Sequence, residues 1–391
     1  MPTTRRSALG GVGATGINAL ATLGPQVVAL FYLGPDAFGR FSLVYLVYAL
    51  GASIMLSVVC EAAARRVRKG GERSGRDAYL GAVLWVSIFA GVGAALLSLV
   101  LLPEAWLAAV VVVGVGCAVY RVGARFREIE ESAWGIAVRA DVCGLVGLVG
   151  GVFLFGRLVA PLSALVLAWA LGGSLACLAG YRTRLALPGA LTTWCADHRS
   201  EIGPLLRESL VMDLSSIGAP YLIAPVLGAA QFGIYRAVSN VAAPVRLVLN
   251  PLRPKLAQMD VRSIYSKRTL APAVGGAVIL GTGAWGALVV IGRLDLTAGV
   301  ITSLAPYAVA CGLFVVSSFV GHLLYLGART HATPGMLWSG RIAQSGFALV
   351  VPVAAAWVGG LSWAIWGYVV ATIIGAVVWA LVAHRIMRVQ G

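Results

Sequence analysis

On one long apolar segment near the middle of the chain, Arg236, Ser239, Asn240, Arg246, Asn250 and Arg253 recur at helical spacing. At about 100° per residue these polar side chains share an arc of about 140°, and Val238, Val241, Val245, Val248 and Leu249 cover the other face. Guanidinium groups hold phosphate or carboxylate oxygens through paired donors. The ten residues from Arg236 to Arg246 span about 15 Å of helix rise, which places two such groups at different depths. That pattern suits successive contacts for an anion moving along a cavity. A lipid-facing arginine at mid-bilayer would be destabilising by about 2.5–3.5 kcal/mol, so the polar face must look into protein or water. Snorkelling of Arg236 and Arg253 to headgroups is the competing reading. Arg246 is harder to explain that way, although the inner boundary lies near it.

Other isolated polar residues are Asn18 and Gln26 in the first apolar segment and Asp213 in the seventh. Asp213, beside Ser215 and Ser216, suits proton or cation coupling or an ion pair with a neighbouring arginine. A carboxylate at the cytoplasmic edge near Arg207 fits it equally well. Arg139 either guards a cytoplasmic mouth or anchors a helix end. It cannot pair with Asp141, because residues two apart do not face each other on a helix. Gly11-Val12-Gly13-Ala14-Thr15-Gly16 is a literal GxGxxG but follows no strand, so helix packing explains it better than a dinucleotide loop. Gly147 and Gly151 have the same packing character. The sequence contains no Walker A, HExxH or GxSxG pattern, and its six cysteines show no ligand spacing. No metal or cofactor is called for.

The elements that must position these residues follow from composition. The chain is 59% hydrophobic and only 12% charged, against about 25% charged in a soluble domain. Its solvent must therefore be lipid. A hydrocarbon core takes about 20 apolar residues per helix. That length predicts twelve spans at 8–33, 38–62, 78–101, 105–121, 137–156, 160–181, 208–227, 232–253, 269–291, 298–326, 336–358 and 361–383. Of the 30 basic residues, 24 fall in the tails and alternate loops, the linker among them, and only Arg40, Arg157 and Arg293 in the intervening connections. The positive-inside rule then puts both termini in the cytoplasm. The net charge of +15 reflects these loops, so nucleic acid is not an expected partner.

Leu33-Gly34-x-x-x-Phe38-Gly39 and Leu227-Gly228-x-x-x-Phe232-Gly233 repeat 194 positions apart, close to half of 391. A repeat of that period predicts two six-helix lobes related by a pseudo-two-fold axis along the membrane normal. The lobes would be 1–181 and 208–391, joined by a cytoplasmic linker at 182–207. The two junctions should stand on opposite sides of a substrate path. In register, Arg236 falls over Ser42 and Arg246 over Ala52, so the lobes differ where the chemistry is expected.

The run Tyr32-Leu33-Gly34-Pro35-Asp36-Ala37-Phe38-Gly39-Arg40-Phe41-Ser42-Leu43 closely resembles the first helix junction of polysaccharide flippases. The run Val226-Leu227-Gly228-Ala229-Ala230-Gln231-Phe232-Gly233-Ile234-Tyr235-Arg236-Ala237 is similar to their helix 7–8 junction. These O-antigen and exopolysaccharide translocases belong to the multidrug/oligosaccharidyl-lipid/polysaccharide exporter superfamily. The resemblance implies an alternating-access bundle in the bacterial cytoplasmic membrane that moves a polyprenyl-diphosphate-linked saccharide outward. It implies a cationic cavity around helices 1, 2, 7 and 8, where Arg236, Asn240, Arg246 and Asn250 would bind substrate with Asn18 and Gln26. Asp213 and Arg139 would couple or gate. Expected partners are the lipid-linked anionic saccharide, the bilayer, H+ or Na+ as coupling ion, and polysaccharide-assembly proteins. Few basic residues in the first two spans depart from the family and leave lobe two to supply the charge.

A drug or metabolite antiporter of the same superfamily is the main alternative, and it would require acidic cavity residues such as Asp213. A membrane-embedded sugar polymerase or ligase fits less well, because the outer connections are only a few residues long.

Overall fold

The computed structural model describes the chain except for residues 1–3, 69, 183–188, 244, 246–248, 250–258, 295–298 and 390–391. Among the described residues there are helices and turns but no strand. Lipid offers no partner for backbone N–H and C=O groups, so a helix that satisfies its own is the required form. Among the described residues, nine helical stretches are long and apolar enough to cross a membrane. The first helix makes a tenth, and breaks at Gly228 and at Gly359–Gly360 divide two of the nine. The expected twelve segments result.

The chain forms two compact units, residues 1–29 with 40–213 and residues 30–39 with 214–391. Helix α1 (Thr4–Tyr32) contributes to both. The first unit continues with α2 (Pro35–Met55), a π-turn at Leu56–Cys60 and α3 (Glu61–Arg68). It then adds α4 (Arg76–Leu101), α5 (Trp106–Glu130), α6 (Trp134–Phe155), α7 (Pro161–Ala179), the short α8 (Ala190–Asp197) and α9 (Arg199–Asp213). The GxGxxG lies inside α1, as a packing element would, yet a Cβ on Gly16 would meet nothing within 4 Å. Gly147 and Gly151 do serve packing: a Cβ on either would come within 2.8 Å of an α7 backbone carbon, at Gly172 or Ala168.

The second unit opens with a π-turn at Leu214–Gly218, followed by α10 (Ala219–Val241) and α11 (Val261–Ile264). Helix α12 (Lys267–Arg293), a 3-10 turn (Gly299–Tyr307), α13 (Ala308–His331) and α14 (Pro334–Val389) complete it. Tyr368 packs between Tyr235 and Phe314 with tilted rings, at centroid distances of 5.5 and 4.7 Å.

Three expectations on boundaries need correction. Residues 121–127, expected as a loop, are the last turns of α5, which runs to Glu130. The stretch 190–207, expected as linker, is helical and belongs with α9 to the first unit, so the unit boundary is at 213/214. Residues 30–39 group with the second unit, and there the two repeated junctions meet rather than face each other across a path. A Cβ on Gly39 would overlap the carbonyl oxygen of Ala229, and one on Gly233 that of Pro35. Leu33, Phe38 and Phe232 are fully buried around this crossing. At Gly228 the chain turns through φ +72°, a left-handed conformation open to glycine at little strain.

Candidate functional site

Within the first unit, α1, α2, α5, α6 and α7 enclose a cavity of about 90 Å³. Its walls include Asn18 and Thr22 of α1, Tyr48 of α2, Arg121 and Arg125 of α5, Asp141 of α6 and Trp169 of α7. The apolar side is an aromatic cluster in which Trp169 meets Phe41 at 5.6 Å and Tyr48 at 5.7 Å between ring centroids. Tyr45 ties the first two helices together by donating its hydroxyl proton to the Thr22 carbonyl at 3.0 Å. Small residues close the back of the cavity: a Cβ on Gly172 would come within 2.6 Å of the Gly144 carbonyl oxygen.

The polar side is an ion-pair chain. Arg121 grips Glu128 with two N–H donors at 2.8 and 3.0 Å. Its Nη2 also lies 3.6 Å from Asp141 Oδ1, while Arg125 Nε donates to Asp141 Oδ2 at 2.8 Å. Glu128 accepts a further bond from the Tyr181 backbone N–H at 2.7 Å. Glu128 is completely buried and Arg121 and Asp141 nearly so. Gly180 makes the Arg121–Glu128 pair possible, since a Cβ there would overlap Arg121 Nη1. Two arginines match two carboxylates, so the wall carries fixed charges of zero formal sum. Arg121 Nε is buried with no acceptor among the described residues.

Beside this chain, the segment 73–76 is clamped to the end of α5. Arg127 bonds Glu131 at 2.7 Å, Glu130 at 3.0 Å and the Ser74 carbonyl at 3.0 Å. Arg76 pairs with Glu131 and lies over the Tyr181 ring, whose hydroxyl donates to Glu131 at 2.9 Å. Partial burial disfavours the ionised Glu131, but hydrogen bonds from Arg76, Tyr181 and Arg127 outweigh it and hold the carboxyl below its ordinary 4.5. A depressed carboxyl contributes stability that is complete above its unfolded value and is lost as pH falls through the folded one. Hydrogen exchange at 73–76, corrected for intrinsic rate, should thus keep its protection from pH 7 to 5 and lose it below about 4.5. The Glu131→Gln protein should show no such step. An identical step in that variant would remove Glu131 as the cause.

The residues singled out from sequence are dispersed. Asn18 lines the cavity, and Gln26 is buried further along α1. Arg236 and Asn240 are half-buried on α10 in the second unit, where the Arg236 carbonyl accepts from Ser239 Oγ at 2.7 Å. Arg246, Asn250 and Arg253 lie outside the described residues. Asp213 ends α9 and accepts a hydrogen bond from Ser53, one turn from the 2.8 Å Ser57–Ser209 bond. Arg139 is exposed, does not line the cavity, and bonds the Ala179 carbonyl. Asp141, two residues on, faces the opposite way into the ion pairs. Sequence reasoning missed Arg121, Arg125, Glu128 and Asp141 as a group. The available signal was the run Arg121-x-x-x-Arg125-x-Arg127-Glu128-x-Glu130-Glu131, whose opposite charges recur at helical spacing.

No protein-family model and no curated protein matches this chain. Solved structures do. A multidrug resistance MATE family transporter of the MOP superfamily, in its inward-facing conformation, shares 15% identity over 96% of this chain and 95% of its own, with a TM-score of 0.68. Lipid II flippase MurJ, inward closed, shares 10% over 98% and 87%, with a TM-score of 0.62. The Vibrio cholerae MATE transporter VcmN in the bent form shares 16% over 98% of each chain, with a TM-score of 0.53. At such identities the likeness is one of fold. This chain has the all-helical, multi-spanning fold of those membrane transporters.

Proposed function

We propose that this protein is an alternating-access flippase, not an enzyme, which carries a polyprenyl-diphosphate-linked saccharide from the inner to the outer leaflet of the bacterial cytoplasmic membrane. The observation that carries the reading is a half-buried guanidinium, Arg236, with Asn240 one turn away on a helix whose other residues are mostly apolar. In a fold shared with a lipid II flippase, this polar pair suits a diphosphate sliding past, and by sequence spacing alone Arg246 and Asn250 would continue it. Outward movement of about two negative charges is electrically downhill, by about 2.3 kcal/mol per charge per 100 mV. Asn18 and Gln26 add hydrogen bonds for sugar hydroxyls. Asp213, held by a serine, is the candidate for H+ or Na+ coupling. Polysaccharide-assembly proteins would be natural partners.

The drug-antiporter reading is less favoured because a cationic drug needs an unmatched carboxylate in the cavity, and Asp213, half-buried at the end of α9, does not line it. In the first-unit cavity Asp141 is already matched by Arg125 and Arg121. Reconstitution with a fluorescent lipid-diphosphate sugar tests the proposal through its accessibility in the outer leaflet. Arg246→Ala and Arg236→Ala are each expected to slow that appearance about tenfold or more at unchanged protein level, the loss of one charge-assisted contact. Wild-type rates in both variants would overturn the assignment.

A further inference from the structure

A second feature of the first unit lies on its outside. Between α6 and α7 runs a groove of about 380 Å³ lined, among the described residues, by Val142, Cys143, Val146, Leu175, Leu178 and Ala179. Val146 and Leu178 are 65% and 58% exposed, so the groove opens outward, which in a membrane means toward acyl chains. It forms because Gly147 and Gly151 draw the two helix backbones together beneath flanking valines and leucines.

One end of the groove is charged. Arg139 directs Nε and Nη2 at the Ala179 carbonyl, at 3.3 and 2.7 Å. Arg182 does the same to the Leu178 carbonyl, at 3.0 and 2.6 Å. These are among the last carbonyls of α7, which lack intrahelical partners and accept such bonds readily. Each guanidinium is thereby fixed by one edge, and among the described residues no bond engages its remaining N–H donors. Both arginines are exposed. Trp134, 40% exposed, marks the same end of α6 as interfacial. From Arg139 to Val146 the apolar wall descends about 10 Å.

We propose that this face binds an anionic diacyl phospholipid of the inner leaflet. Its phosphodiester sits on Arg139 and Arg182, and one acyl chain lies in the α6/α7 groove. The charge complementarity decides the occupant: two anchored guanidiniums at the mouth of a wholly apolar groove match a phosphate joined to a hydrocarbon chain. Arg139 is then a lipid anchor rather than a gate. The inference does not depend on what the protein transports.

The test uses the full chain in vesicles of mixed phosphatidylcholine and phosphatidylglycerol, extracted gently and weighed intact with its retained lipids. Wild type should retain phosphatidylglycerol in preference to phosphatidylcholine. The Arg139→Gln/Arg182→Gln protein should lose that preference, by about fivefold per arginine removed. Val146→Trp, placed on an exposed position, should fill the groove and lower retention with both arginines present. Undiminished retention by either variant would overturn the proposal. So would displacement of phosphatidylglycerol by equimolar polyprenyl diphosphate, which would assign the site to the carrier lipid.

Discussion

Replacing Gly39 by alanine should destabilise the protein by about 3 kcal/mol, the upper end of ordinary overpacking, and valine there should abolish folding. The added Cβ would overlap the Ala229 carbonyl oxygen, and a backbone cannot turn aside as a side chain can. Gly233→Ala should behave alike, since its Cβ would overlap the Pro35 carbonyl oxygen and stand 3.0 Å from the Gly39 nitrogen. Gly34→Ala, in the same motif, should be nearly silent because nothing lies within 4 Å of its Cβ position. Thermal unfolding of the three purified alanine variants in one detergent checks this, and the valine variant should give no folded protein. Equal midpoints for Gly34→Ala and Gly39→Ala would mean that the crossing does not require glycine.

Removal of the Glu128 carboxylate is the second large effect expected. Glu128→Ala leaves Arg121 buried with its bidentate partner gone and strips the acceptor from the Tyr181 N–H. Breaking a buried pair from one side typically destabilises by about 3–5 kcal/mol, whereas replacing the pair with well-packed apolar groups is often neutral. Arg121 also approaches Asp141, so Arg121→Met/Glu128→Leu should recover most, not all, of the lost stability. A double variant no more stable than Glu128→Ala would show that the loss comes from packing rather than unmatched charge. The comparison needs only unfolding midpoints, and the Gly180→Ala protein should mimic the single variant by forcing Arg121 off its partner.

The reach of sequence reasoning varied by element. Twelve apolar segments and the turn at Gly228 followed from segment length and the repeated Leu-Gly-x-x-x-Phe-Gly. In lipid, length and apolarity nearly dictate the element. The same ruler failed at α5, because a hydropathy criterion stops at Arg121 while helix hydrogen bonds do not. Opposite charges three and four residues apart, such as Arg127 with Glu130 and Glu131, carry the helix on to Glu130. Asp141 and Arg139 were separated correctly by helical geometry, but Arg121 and Arg125, twenty and sixteen residues away, could not be assigned to Asp141 without knowing which helices adjoin. The contact of Gly39 with Gly233 was hidden for the same reason. Repetition announces equivalence, not adjacency.

The division of the chain at 29/30, 39/40 and 213/214 has a consequence for biogenesis. Each covalent half lends a piece to the other's body: 30–39 leaves the first, and the helical stretch 190–213 beyond the midchain link returns to it. The first body is therefore incomplete when α7 leaves the ribosome and becomes whole only once Asp213 has been made. Residues 30–39 must wait, inserted but uncommitted, until Gly233 arrives nearly two hundred residues later. A gene split at 183–188 would yield two fragments that each lack a strut the other carries. Such fragments should be degraded when made singly and protected when made together.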